Sequence, residues 1–218
     1  MPANVDKAVK RAEILHHAAD AFSRSGFHNT KMQDIATLAD IGKGTIYEYF
    51  RTKEELFLAI YDTWMSSYES IVQERVNNAS DAIGKVDAIR DSAVEFYLSR
   101  AEQAPLLLEF WAHALRSNST EFRDRVHRNR TFLMDLGVQI TNDLVKAGWF
   151  TKVDAASFTA LEAGISDGIF FTWLMEDRGF PLDKAFTFRQ SVIGLGLLSG
   201  DARTLLKERL EGKLKKGF

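Results

Sequence analysis

The sequence predicts an all-α fold of about nine to ten helices, with three N-terminal helices set before a larger helical body. Three observations point there. Apolar residues recur at spacings of three and four along nearly all of the 218 residues. Only three prolines, Pro2, Pro105 and Pro181, interrupt the chain, and so few breakers over this length favour long helices. No stretch shows the apolar–polar alternation of a half-buried strand.

Helix 1 is expected from about Asp6 to Ser25, because Ala8, Ala12, Leu15, Ala19 and Phe22 share one face. Gly26 follows as its stop, and Phe27 packs back onto the core. Helix 2 is expected to start at Thr30, where Thr30 and Gln33 have the spacing of a capping box. Met32, Ile35, Ala36 and Ala39 form its inner face. Asp40-Ile41-Gly42 is the turn, with Asp40 in the left-handed conformation and Ile41 as a buried plug. Helix 3 is short, about Lys43 to Phe50. Ile46 and either Tyr49 or Phe50 face inward, which opens Lys43, Gly44, Thr45, Tyr47 and Glu48 to solvent. Thr52 and Glu55 form a second capping box and begin helix 4, whose apolar positions include Leu56, Ile60, Trp64, Tyr68 and Ile71 and which frays near Asn77-Asn78.

Further helices follow by the same periodicity: Asp81 to Glu102; one with Pro105 in its first turn and Leu107, Phe110, Trp111 and Ala114 on one face, Leu108 and Leu115 beside it; one capped at Asn118-Ser119-Thr120-Glu121 and stopped at Gly148; Asp154 to Glu176; Leu182 to Ser199; and Asp201 to Lys215 with a basic end at Lys213, Lys215 and Lys216. The division expected is residues 1–53 as a helix-turn-helix DNA-binding domain and 54–218 as a helical ligand-binding and dimerisation domain.

Composition removes several classes of function. Cys is absent, so disulfides and thiolate chemistry are excluded. No apolar run approaches the ~18 residues of a membrane span, and the polar Met1 to Glu13 segment shows no signal peptide, so a cytoplasmic location is expected. Net charge is −2, and residues 1–55 hold eight Lys and Arg against eight Asp and Glu. Affinity for nucleic acid must therefore come from where a few cations stand. The predicted helix N-termini near Thr30, Gly42 and Thr52 each precede a lysine: Lys31, Lys43 and Lys53. A helix N-terminus beside a cation is what a phosphate contact needs, and a short exposed helix fits a major groove ~12 Å wide.

At these residues the chain resembles the tetracycline-repressor (TetR) family of bacterial regulators. The likeness is dense from Ile14 to Leu56, including Ile14-Leu15, Ala18-Ala19, Phe22, Gly26-Phe27, Ile35-Ala36, Lys43-Gly44-Thr45-Ile46-Tyr47, Tyr49-Phe50 and Lys53-Glu54-Glu55-Leu56. It implies a homodimer on a near-palindromic double-stranded operator, usually as a repressor released by a small ligand. It also implies DNA contacts from Thr30, Lys31, Lys43, Thr45, Tyr47, Tyr49 and Lys53, with Gly44 inside the same exposed motif; periodicity alone leaves Tyr49 open as core or contact. Two positions depart from the family pattern: Asp40 stands where Gly is usual, and Gly42 where Ser is frequent.

In the body, two apolar stripes on the helix from Asp154 suggest burial on more than one side. Phe158, Leu161, Ile165, Ile169 and Trp173 form one; Ala160, Gly164, Gly168, Phe171 and Met175 form the other. Glycine inside a helix costs roughly 1 kcal/mol against alanine, so the second stripe calls for close helix approach, either within the protomer or across a two-fold axis. The two-fold reading takes Ala160, Gly164, Gly168, Phe171 and Met175 with Phe188, Val192 and Leu195, beside Leu198 and Ser199.

Trp64, Tyr68, Phe96, Phe110, Trp111, His113, Phe132, Phe158, Ile165 and Trp173 are the candidate lining of a pocket for a small hydrophobic or aromatic effector, although most of them are expected to be core. His113, Glu109, Asn142, Asp167 and Thr172 are the polar residues expected to reach inward. No catalytic motif, metal site or cofactor site is expected: Glu109 and His113 are four apart on one helix, a single pair that reads as a local contact rather than a metal site. Competing functions are a regulator of this fold controlled by a protein partner, and a helical carrier or enzyme, against which the intact reader motif argues.

Overall fold

The computed structural model describes residues 2–116, 120–198 and 200, with no description of the side chains of residues 2–6 and 195. Among the described residues there are nine α-helices: α1 (Pro2–Asn29), α2 (Met32–Leu38), α3 (Lys43–Tyr49), α4 (Lys53–Asn78), α5 (Ala82–Ser99), α6 (Pro105–Arg116), α7 (Thr120–Lys146), α8 (Ala155–Met175) and α9 (Leu182–Leu197). The only β-type pairing among them is an isolated antiparallel bridge between Phe150 and Leu198. The expected all-α class holds. The cap proposed at Asn118-Ser119 and the helix proposed from Asp201, with its lysines, lie outside the described residues.

Most helix ends fall where local chemistry places them. Gly26 leaves helical geometry at φ 76°, ψ 158°, a region essentially reserved for glycine, and divides the last turn of α1 from its body. Asp40 takes φ 51° in the turn before α3, as a short polar side chain allows. Thr52 accepts the Glu55 amide at 3.0 Å and Asp154 accepts the Ser157 amide at 3.0 Å, each satisfying an N-terminal N–H that the helix cannot. Gly148 stops α7 at φ 75°.

Helix α1 starts at Pro2 rather than Asp6 and α9 ends at Leu197 rather than Ser199, and three further boundaries differ from expectation. Thr30 does not cap α2. The residue before that helix is Lys31, and its N–H is taken by the Asp34 carboxylate at 2.9 Å. The helix at Thr52 has only half of the expected box, because Glu55 reaches back to the Arg51 amide at 2.7 Å rather than to Thr52. Helix α5 stops at Ser99, and turns formed by Gln103 N–H on the Arg100 carbonyl (2.8 Å) and Leu106 N–H on Gln103 (2.9 Å) lead into α6. Pro105 disfavours helix in Ala104 before it and suits the first position of α6.

The chain forms two compact units, residues 1–70 with 97–129, and residues 71–96 with 130–218. The first is built on a cluster of rings. Phe57 of α4 stands at its centre, 5.4 Å from Phe22 and 4.6 Å from Phe27 of α1, 4.4 Å from Phe110 of α6 and 5.6 Å from Phe122 of α7. Tyr61 and Trp64 continue the cluster against Phe110 at 5.3 and 5.8 Å. Phe22, Phe57, Phe110 and Phe122 are fully buried, and such ring pairs add about 0.5–1.5 kcal/mol each beyond their buried area.

In the second unit, α7, α8 and α9 bury Leu136, Ile140, Leu144, Phe170, Trp173, Leu182 and Phe186. Gly137 is needed there, because a Cβ would stand 2.5 Å from Thr159 Cγ2. Cross-helix ion pairs join the same helices and α5: Lys85–Asp143 at 2.9 Å, Arg130–Asp167 at 2.9 Å and Arg189–Glu162 at 3.4 Å. Burial pushes the Glu162 carboxyl up, and Arg189 opposes that shift. From Ala82 to Arg90 every residue of α5 is only half-buried, including Ile83, Val86 and Ile89.

Candidate nucleic-acid interface

Helix α3 is anchored from beneath and open above. Ile46 and the following Phe50 are buried, while Lys43, Gly44, Tyr47 and Glu48 are exposed and Thr45 and Tyr49 are half-buried. Tyr47 shows 42 % of its surface. Gly42 precedes α3 in extended geometry and offers no side-chain cap, so the amides of the first turn have no side-chain acceptor there. Lys43 stands at that end. Lys31 is exposed at the start of α2, and Ile41 in the turn between them is half-buried rather than a closed plug.

Two expected contacts have other work. Thr30 is 2 % exposed; its hydroxyl donates to the Gly26 carbonyl at 2.8 Å and reaches the Ala21 carbonyl at 3.3 Å, while its amide donates to Gly26 at 3.2 Å. Both donors thus fasten the end of α1 instead of facing a phosphate. Lys53 donates to the carbonyls of Phe27 (2.6 Å), Thr30 (3.0 Å) and His28 (3.2 Å), and its ammonium lies 4.5 Å from the centre of the Phe27 ring. An ammonium has three donors, so those of Lys53 are occupied.

The first turns of α1 supply cations that the sequence reading passed over. Lys7 Nζ stands 5.9 Å from the centre of the Tyr49 ring, and the Arg11 guanidinium 5.0 Å from that of Phe50. Both lie off the apolar face of α1, four residues apart. That spacing is visible in the sequence, but only the folded chain shows that it flanks α3.

The proposed pocket residues are split between the units. Trp64, Tyr68, Phe110, Trp111 and His113 belong to the first; Phe96, Phe132, Phe158, Ile165 and Trp173 belong to the second. Phe110 is fully buried with rings around it, and is packed core rather than pocket lining. Trp64, Phe96 and Trp173 are buried as well, whereas Tyr68, Trp111, His113, Phe132, Phe158 and Ile165 are half-buried. Asn142 and Thr172 are exposed and do not reach inward, because their helices turn other faces to the core.

Glu109 and His113 both meet Phe27, one at its backbone and the other at its ring. Glu109 accepts the Phe27 amide at 3.0 Å. The His113 ring sits 4.7 Å from Phe122, 5.1 Å from Phe27 and 5.5 Å from Phe57, and its buried Nε2 has no hydrogen-bond partner among the described residues. The buried polar side chains Ser92, Asn129, Thr141 and Thr159 were not singled out from sequence; of these, Asn129 is bonded to Tyr61 at 3.4 Å and Glu69 at 2.6 Å. No group of three or more side chains able to hold a metal occurs among the described residues.

Of the proposed interface residues, Ala160, Gly164, Gly168, Phe171 and Met175 of α8 and Phe188 and Val192 of α9 are all exposed, Phe188 by 71 %. Leu195 lies outside the described side chains. Leu161, on the first of the two expected stripes, is exposed, and Phe170, on neither, is buried in the core.

A helix so short, open on one side and buried on the other, directly after a turn and a second short helix, is made to enter a major groove: the molecule has the apparatus of a helix-turn-helix transcription regulator. Residues 14–60 match the family described as bacterial regulatory proteins, tetR family. Over 173 residues the chain is 41% identical to the uncharacterized HTH-type transcriptional regulator YhgD of Bacillus subtilis (strain 168), covering 78% of this chain and 86% of that protein. The chain belongs to the tetR family; it is a DNA-binding transcription regulator and not an enzyme.

Solved structures share the fold. A TetR transcription regulator from Haloarcula marismortui ATCC 43049 superposes with a TM-score of 0.75 at 21% identity, over 88% of this chain and 100% of that one. The transcriptional regulator FadR from Bacillus subtilis, in complex with stearoyl-CoA, does so with 0.72 at 20% identity, over 87% and 98%. No helix among the described residues is long and apolar enough to cross a membrane.

His113 generates a prediction. Burial holds its imidazole below the ordinary value of 6.5, against a smaller raising effect of Glu54 and with a smaller lowering effect of His28. As pH falls through that ordinary value the unfolded chain takes up a proton that the folded chain refuses, so stability falls with pH from there down to the folded value. Urea unfolding at about pH 7.5 and about pH 5.5 is expected to show a larger loss on acidification in the unaltered protein than in His113→Leu.

Proposed function

We propose that this regulator is a repressor that binds a near-palindromic operator as a homodimer in the cytoplasm and is released by a small hydrophobic or aromatic effector. Residues 1–53 read the DNA, and 54–218 bind the effector and form the dimer. The observation that carries the reading is α3, with Lys43 at its uncapped start and Tyr47 on its open face. In the groove, Tyr47 and Thr45 meet base edges, and Lys31, Lys43 and Tyr49 meet phosphates. Lys7 and Arg11 join the phosphate contacts from α1; Thr30 and Lys53 support the arrangement from behind. Lys43→Ala and Tyr47→Ala are each expected to abolish retention of the operator in a gel-shift assay, with an unchanged circular dichroism spectrum. Retention by both would refute α3 as the reader.

The dimer reading rests on α8 and α9. Among the described residues nothing lies within 4 Å of a Cβ built on Gly164 or Gly168, so packing among them does not call for glycine at either position. Phe171, Met175, Phe188 and Val192 lie exposed along the same two helices. A second copy approaching the small residues would cover them. Light scattering is expected to show a dimer at micromolar concentration for the unaltered protein and a folded monomer for Gly164→Trp. A monomeric unaltered protein overturns the assignment.

For the effector, the half-buried Phe132, Phe158 and Ile165 of the second unit supply apolar surface of the kind that lines small-molecule pockets. FadR from Bacillus subtilis, which shares the fold, is in complex with stearoyl-CoA. A screen of hydrophobic and aromatic compounds is expected to find one that raises the melting temperature by mass action and releases the operator. A compound that binds tightly yet leaves operator affinity unchanged would argue against control by that site.

A further inference from the structure

We propose that Glu109 is a positioning residue for operator binding, acting through the backbone of Phe27; the inference rests on the DNA-reading function above and deepens it. The path from α1 to α2 is set within Gly26 to Thr30. Gly26 turns the chain in a conformation essentially closed to other residues. The next residue is then held at both ends of its backbone by opposite charges. The Phe27 N–H donates to Glu109 Oε2 at 3.0 Å, and the Phe27 carbonyl accepts from Lys53 Nζ at 2.6 Å. Oε1 of Glu109 also faces the turn, 3.1 Å from where a Cβ on Gly26 would stand.

The two charges come from distant places in the chain, Lys53 from the first residue of α4 and Glu109 from within α6, 82 positions beyond Phe27. The Phe27 ring, wedged against Phe57, anchors the residue but does not orient its peptide planes. Those planes decide the direction in which α2 departs. Helix α3 follows through a turn tied to α2 by Ile41 N–H on the Ala36 carbonyl at 3.0 Å. A carboxylate on the Phe27 amide therefore sets the tilt at which α3 is presented, without standing on its exposed face. Charge-assisted bonds of this kind are short and directional.

The test compares Glu109→Ala with Glu109→Gln, whose side-chain oxygen still accepts the amide. Duplex DNA is first selected from random sequence with the unaltered full-length protein. Affinity is then measured by fluorescence anisotropy, well below the melting temperature, so that all three proteins are folded. Exchange of the Phe27 amide is followed by nuclear magnetic resonance. Glu109→Ala is expected to weaken operator binding by about tenfold or more and to speed Phe27 exchange, while Glu109→Gln restores most of both.

Equal affinity in all three proteins overturns the proposal, as does an equal loss in both variants. Tighter binding by both variants overturns it too, by showing Glu109 to act only as a charge that repels DNA. If the unaltered protein enriches no duplex, the DNA-reading function falls and this inference with it; a change confined to the variants decides the inference alone.

Discussion

The fold of the first unit depends on how one residue, Phe27, is held. Its ring enters the aromatic cluster, its amide meets a carboxylate, and its carbonyl meets an ammonium. Each of these alone is modest: a net hydrogen bond to a charged group contributes about 1.5–3 kcal/mol, and a ring pair less. Acting on one residue at a chain reversal, they leave little freedom in the path from α1 to α2. Thr30 completes the arrangement by turning its hydroxyl back onto the carbonyl of Gly26. The polar groups exposed by the break in α1 are thus taken up inside the protein.

The same accounting of helix ends explains how a reader without net charge can work. Several of its acidic side chains are occupied with backbone or neighbouring groups: Asp34 on the Lys31 amide, Glu55 on the Arg51 amide and Glu13 on Lys10. These carboxylates stabilise the small helices of the unit. Lys31 and Lys43 remain exposed at the starts of α2 and α3. Neutrality in composition thus coexists with a directional arrangement of charge, and a pI of about 6.2 is no obstacle to binding DNA.

Much of this was legible in the sequence, because helices announce themselves by period and by their stops. Gly26, Asp40, Gly148 and Asp154 do what their chemistry requires, and the helix-turn-helix lies where Lys43 to Phe50 placed it. What escaped were features set by residues far apart in the chain. Lys53 after Thr52 looks like a surface cation, and only the fold brings the carbonyls of Phe27, His28 and Thr30 beneath it. Thr30 has the spacing of a cap, yet burial turns its hydroxyl the other way. Glu109 and His113 share a helix face by spacing, but each takes partners on other helices, the Phe27 amide for Glu109 and the Phe27, Phe57 and Phe122 rings for His113. Phe57 and Phe122, central to the ring cluster, were hidden among many phenylalanines because periodicity cannot rank one above another. On α8, Leu161 of one expected stripe is exposed and Phe170, on neither stripe, is buried, since a helix apolar on several sides gives no unique inward direction.

The charge neutrality of residues 1–55 has a consequence for how such a molecule searches a chromosome. Each phosphate neutralised adds roughly −0.9 to the slope of log affinity against log salt. A reader relying on a handful of placed cations has little hold on arbitrary sequence at cellular ionic strength. It would spend more of its time free in solution than sliding along duplex. Fewer copies would then be sequestered on irrelevant DNA, and a small pool would suffice to keep a site occupied.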